Sequence, residues 1–343
     1  MACNQSFAQE KVKVIVHPGT ELMNAVWLLS DPDYAVKSTY RVDALKYFSK
    51  WKDDSAVLKA KKLPYINCDF PVRLSWVFYD FPNLKLSLPD TLFGYESEFN
   101  KKQVQDYLSA CLRFYKRSDF KAFFYKEQPE YKRWIASFNR ILRKQNLLPE
   151  IDSFYRFPLP RKVIITLGAL NCATYAVPEV DLINPRFQNT TVIHVGYGNL
   201  IGRYASDSTQ PNFYDSLWES QLVFHEVSHA YLADLFKQYK AQIDSLEYIR
   251  EKDTNIQKRC DVAHWTKFLN ENVTQGITSL LRIRTGKIDS ASEIQRLAED
   301  SYYIISYRMM EIIGRGYPES NRYANFKEYF PDFLKQLRRE YPN

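Results

Sequence analysis

The stretch His225-Glu226-Val227-Ser228-His229 narrows what this chain can fold into more than any other. Histidines at positions i and i+4 of an α-helix project from one face, a turn apart, so both imidazoles can reach a single metal ion. Glu226 lies beside that face, where it can take a proton from a water on the ion. Leu222, Val223 and Phe224 precede the stretch, and Ala230, Tyr231 and Leu232 follow it. Apart from Glu226, no charged residue falls within four positions on either side. Such flanks predict a buried helix that carries its own reagents. The plainer reading is a core helix whose two histidines are satisfied by neighbours.

Two histidines do not complete a catalytic zinc site, which needs a third protein ligand and an open position for water. A third histidine on an extension of the motif would require Gly at 232 and His at 235. Both are leucine, Leu232 and Leu235, and that class is excluded. The other route is a glutamate from a following helix. Asn270-Glu271-Asn272-Val273-Thr274 offers one, with Glu271 standing 42 residues beyond His229. Phe268, Leu269, Val273 and Ile277 make this helix half-buried, so Glu271 is presented inward rather than as a surface carboxylate. His264, on the same helical face, is the rival third ligand. Two turns separate the pair by roughly 10 Å, so both cannot hold one ion.

Composition sets the outer bounds. A chain of 343 residues, 45% apolar and 25% charged, can bury one large globular domain or two ordinary ones. The net charge of +7 comes from Lys and Arg scattered through helix-like stretches. Nucleic-acid binding needs a clustered basic stripe or a recognised module, and neither is present. No run of 18 apolar residues occurs, so no segment of this sequence reads as a membrane span. The five cysteines, Cys3, Cys68, Cys111, Cys172 and Cys260, lie far apart with no C-x-x-C pair. They form neither a disulfide framework nor a zinc ribbon. Ala2-Cys3 resembles the tail of a bacterial lipoprotein signal, and Phe7-Ala8-Gln9 the end of a cleaved export signal. The expectation is an exported protein, periplasmic or anchored to the outer membrane through a lipid on Cys3.

Along the chain, Lys11 to Val16 alternates as a strand does, His17-Pro18-Gly19 turns, and Thr20 is the expected cap of a helix through Leu29. Helical periodicity follows over 42–49 and 102–115, and over 120–147 as one or two long helices. After Phe157-Pro158-Leu159-Pro160 the character changes to β-branched runs at 162–167 and 190–195. Ser216-Leu217-Trp218-Glu219 reads as a capping box opening the metal helix, which runs to about Lys237. Further helices are expected over 265–281, 291–313 and 326–339. The fold class is α+β: a mostly helical region, 1–157, packed on a catalytic region, 158–343. In the latter a small sheet accompanies the metal helix and the glutamate-bearing helix.

With these residues in hand, the chain resembles a bacterial family of HExxH-containing, zincin-like proteins, common in Bacteroidetes and catalogued as a domain of unknown function. The resemblance rests on Glu21-Leu22, on His225-Glu226-x-x-His229, and on Trp265 with Asn270-Glu271. It implies a gluzincin arrangement: a zinc ion held by His225, His229 and Glu271, with Glu226 as the base of a metallopeptidase acting on peptides or proteins. The family often carries an arginine four residues after the ligand glutamate. This chain has Gln275, so an arginine's role there does not carry over. A peptidase also needs an electrophile for the oxyanion, and His264, Tyr302, Tyr303 and Tyr307 are the candidates. The strand at 190–195, with His194 on it, is the expected substrate edge. The competing reading is an exported binding or scaffold protein that keeps zinc for stability alone; a base at Glu226 is what separates the two.

Overall fold

The computed structural model describes residues 11–33, 36–63, 70–86, 101–171, 174–177, 180, 184–197, 205–214, 216–252, 264–300 and 303–342. Cys3, the glycines Gly198 and Gly202, and Tyr302 lie outside them. The fold is mixed α and β, mostly helical, with a small sheet. Contacts divide the chain into two units that interleave along the sequence. One comprises 12–141 and 162–215; the other comprises 1–11, 142–161 and 216–343. The boundary expected at 157/158 falls inside the second unit. The reason is pairing: strand residues 12–15 find their partners at 163–166, so one sheet draws on both sides of that point.

The sheet unit begins with β1 (Val12–Ile15), turns at His17 into α1 (Pro18–Ser30), and continues through α2 (Thr39–Phe48), α3 (Ser55–Ala60) and α4 (Phe70–Ser75). A short hairpin, β2 (Phe78–Tyr79) and β3 (Lys85–Leu86), precedes α5 (Lys101–Arg117), α6 (Phe120–Lys126) and α7 (Gln128–Lys144). The chain re-enters this unit as β4 (Lys162–Gly168), β5 (Tyr175–Val177) and β6 (Thr190–Gly196). Strand order is β1-β4-β6-β5, with the first three parallel and β5 antiparallel. Every residue of β6 is buried, as the continuous apolar run of a strand covered on both faces requires. Flanked by β4 along its length and by β5 over 192–194, β6 is an interior strand there rather than the expected substrate edge. His194, fully buried on it, packs over Gly168, where a Cβ would come within 2.6 Å of its Cε1.

The cap of α1 is His17, not Thr20. Its Nδ1 accepts from the Thr20 backbone N–H at 3.2 Å, Pro18 fills the first turn, and the ring stacks on Trp76 at 4.1 Å. From Gly19 to Leu29 this helix is buried on all sides. It therefore encloses a carboxylate: Glu21, 1% exposed, whose Oε2 accepts from the Tyr40 hydroxyl at 2.5 Å. Tyr40 and Tyr131 share a further hydrogen bond at 2.7 Å. Burial raises the Glu21 carboxyl to about 7, outweighing the hydrogen bonds from Tyr40 and Asn24.

The helical unit holds α8 (Leu147–Tyr155), α9 (Ser216–Gln238), α10 (Lys240–Asp244), α11 (Tyr248–Lys252), α12 (Trp265–Arg284), α13 (Ser290–Glu299), α14 (Ser306–Gly316) and α15 (Phe326–Glu340). Helix α12 lies at its centre, packed on α9 and on α14. Gly276 permits the second contact, since a Cβ there would meet the Met310 backbone nitrogen at 2.8 Å. The single helix expected over 291–313 is two. Asp300 Oδ1 accepts from the Tyr303 N–H at 3.1 Å, and Asn272 Oδ1 accepts from the Ile305 N–H at 3.0 Å. Side chains thus take donors that a continuing helix would have used. Glu293, fully buried, receives Arg282 at 2.9 Å, Arg296 at 2.8 Å and Ser279 at 2.6 Å, which fastens α13 to α12. Tyr155 stacks on Tyr231 at 4.1 Å, and the Tyr317 hydroxyl donates to the Phe154 carbonyl at the end of α8. No helix among the described residues is long and apolar enough to cross a membrane.

Glu21 makes a signed prediction. A carboxyl whose folded pKa is raised from 4.5 to about 7 contributes its stability fully below pH 4.5 and loses it as pH rises through about 7. Glu21→Gln should therefore gain up to about 3 kcal/mol over wild type at pH 8 and nothing at pH 4.5. Denaturant titrations at the two pH values measure this; the same difference at both would remove Glu21 as the cause.

Candidate metal centre

Helix α9 is a helix that its own sequence forces inward. Leu222, Val223, Phe224, Val227, Ala230, Tyr231 and Leu232 are all buried, and they carry His225 and Glu226 into the interior while His229 stays partly exposed. The two imidazoles face each other edge to face, their centroids 4.8 Å apart and their Nε2 atoms 3.2 Å apart. On α12, Trp265 anchors the start by donating from Nε1 to the Ile243 carbonyl at 2.8 Å. Phe268, Leu269, Val273 and Ile277 then fix the rotation of the helix. That rotation turns Glu271 towards α9, its Oε2 lying 3.3 Å from His225 Nε2 and 3.6 Å from His229 Nε2. The three donor atoms lie within 4.8 Å of one another, and no other such trio of His, Cys, Asp or Glu occurs among the described residues.

Electrostatics follow from burial. Desolvation alone would raise the Glu271 carboxyl and lower His229, yet each moves the other way because they face each other. Glu271 is held well below the usual carboxylate range by His229 and His225, and His229 is raised to about 9 by Glu271. Glu226, in contrast, touches no cation directly: burial pushes its carboxyl up, and the nearby histidines only moderate the rise.

A second layer sits behind His229. Asn270 Oδ1 lies 2.7 Å from His229 Nδ1, and Thr274 Oγ1 lies 3.3 Å from both. An acceptor at Nδ1 fixes a proton there, so that the neutral ring would have its lone pair on Nε2, the nitrogen that faces Glu271 and His225. The sequence reading gave Asn270 and Thr274 no role. Their i, i+4 spacing, in step with that of the histidines, was the available signal.

The other candidates separate cleanly. His264 is exposed at the N-cap of α12 and stands outside the trio. Tyr307 donates to Glu311 Oε1 at 3.0 Å, one turn along its own helix. Tyr303 lies against the site, its ring centroid 5.7 Å from that of His225, on the turn pinned by Asp300 and Asn272.

A family model described as a domain of unknown function, DUF4932, matches residues 81–336. The matched span takes in His225, Glu226, His229 and Glu271 and begins after Glu21-Leu22. No curated protein and no solved structure matches the chain.

The His229–Glu271 pair predicts how the metal-free protein responds to pH. A histidine raised from 6.5 to about 9 contributes its stability fully below pH 6.5 and loses it as pH rises through about 9. Kept in chelator, wild type should melt progressively lower over that interval, and Glu271→Gln, lacking the carboxylate that holds the proton, should show little of that fall. Parallel slopes in thermal scans of the two proteins would refute the pairing.

Proposed function

The chain belongs to the DUF4932 family, and from the two-histidine, one-glutamate trio held by α9 and α12 we propose that it is a zinc-dependent peptidase of gluzincin type. The observation that carries the reading is the trio together with a fourth residue, Glu226, buried beside it and not drawn into it. Two imidazoles and one carboxylate are a donor set that suits catalytic zinc, and the single negative charge partly offsets the ion. His225 and His229 would hold it through Nε2, and Glu271 through its carboxylate. Bound there, zinc supplies Lewis acidity, making a water acidic near neutral pH and polarising a carbonyl.

The chain's own residues supply the rest. Glu226 sits where its carboxyl, raised by burial, can take a proton from water and return it to a leaving amine. Asn270 and Thr274 keep the His229 proton on Nδ1. Tyr303, whose ring lies against His225, is the residue we assign to the carbonyl oxygen as its negative charge develops. A zinc kept only for stability would make no use of a carboxyl at 226, which favours the peptidase over the scaffold reading.

One zinc per chain is expected by metal analysis, with His225→Ala and His229→Ala losing it. In chelator competition Glu271→Ala should weaken binding by well over about tenfold, while His264→Ala stays near wild type; the reverse ranking would reassign the third ligand.

Glu226→Gln should keep its zinc yet cleave a peptide library at least about 100-fold more slowly, because an amide cannot accept the proton. Near wild-type cleavage in that variant would show that Glu226 is not the base.

A further inference from the structure

Helix α12 offers α9 two adjacent i, i+4 pairs. The first, Asn270 and Thr274, meets His229 at Nδ1. The second, Glu271 and Gln275, is one residue further on, about 100° round the same helix. Glu271 Oε2 lies 3.3 Å from His225 Nε2 and 3.6 Å from His229 Nε2, so this side of α12 faces the histidine pair, nearer to His225. The opposite side of α12 is committed elsewhere, with Asn272 and Gly276 turned to the segment that carries α14. Gln275, one turn beyond Glu271, is therefore buried on the side of α12 that carries Glu271 towards the histidines.

The Gln275 amide and the His225 Nδ1 are both buried with no hydrogen-bond partner. Gln275 is 1% exposed, and neither its Oε1 nor its Nε2 has a hydrogen-bond partner. His225 Nδ1 is likewise buried and unpartnered. An amide sealed in a core without a partner is costly, and leucine or methionine would fill the same space without that cost. The two orphans are also complementary. An imidazole that gives its Nε2 lone pair to a metal carries its proton on Nδ1 and needs an acceptor there. An amide oxygen is such an acceptor and adds no charge.

We propose that Gln275 is the positioning residue of His225, accepting its Nδ1 proton as Asn270 accepts that of His229, so that both imidazoles present Nε2 to the metal. This rests on the zinc reading of the site. Gln275 touches neither ion nor substrate in this role; it acts through the ring that it orients.

The test uses the full-length protein with Zn²⁺ as the probe. Gln275→Leu and Gln275→Met remove the acceptor at similar volume, and Gln275→Glu keeps it. In chelator competition the two apolar variants should bind Zn²⁺ about 10- to 100-fold more weakly than wild type. Gln275→Glu should stay close to wild type. In ¹H–¹⁵N spectra of the zinc-loaded protein, the slowly exchanging His225 Nδ1–H signal should be present in wild type and Gln275→Glu and lost in the apolar variants. The metal-free melting temperature of the apolar variants should not fall, because they replace an orphaned amide. Unchanged zinc affinity and an unchanged His225 signal in both apolar variants would overturn the role of Gln275 and leave the zinc reading standing. A wild-type protein that takes up no zinc would overturn both.

Discussion

A carboxylate taken out of water must be met by charge or by donors, and Glu271 is met by two imidazoles from another helix. That requirement organises the helical unit. It sets the rotation of α12, which Trp265 and the apolar residues from Phe268 to Ile277 then hold. It also sets which α12 side chains face α9 and which face α14. Asn272 and Gly276 fall on the α14 side, where one captures a backbone N–H and the other admits a backbone at close range. The turn carrying Tyr303 is held by the Asn272 contact together with Asp300. The tyrosine beside His225 therefore owes its position to the same helix rotation that delivers Glu271.

The sheet unit answers a different constraint. Its parallel strands come from distant parts of the chain, and α1 lies enclosed with Thr20, Glu21 and Asn24 all buried. Burying polar residues in one helix is tolerable only where hydroxyls and amides meet them, as Tyr40 meets Glu21 and Ser75 meets Thr20. Glu21 has a hydroxyl donor where Glu271 has imidazoles. The two glutamates accordingly shift in opposite directions, one raised and one depressed.

Much of the site was legible in the sequence because its signals are local. Spacing put His225 and His229 on one face, and apolar flanks turned Glu226 and Glu271 inward. The strands at 162–168 and 190–196 and the helices at 216–238 and 265–284 were legible for the same reason. What periodicity missed was set by partners distant in sequence. Residues 300–305 look helical until Asn272, on another helix, takes the Ile305 N–H. Thr20 reads as a cap until His17 is seen to accept from its N–H. The strand at 190–196 reads as an edge until β5, only three residues long, pairs along its outer side. Gln275 was invisible as a buried residue because a polar letter in a helix reads as surface.

The chain passes from one unit to the other between 11 and 12, 141 and 142, 161 and 162, and 215 and 216. Neither unit is a contiguous stretch, and this fixes an order of events during synthesis. Strand β1 is made before its neighbour β4, which emerges some 150 residues later, and β6 later still. The early strand must wait, with α1 and the helices after it, for a partner not yet translated. Loop closure of that length is slow to reward, so the sheet forms late rather than sequentially. His225, His229 and Glu271 come from the segment that follows the 215/216 crossing. A ribosome therefore releases the two histidines and the glutamate of the trio only after β1, β4, β5 and β6 have been made.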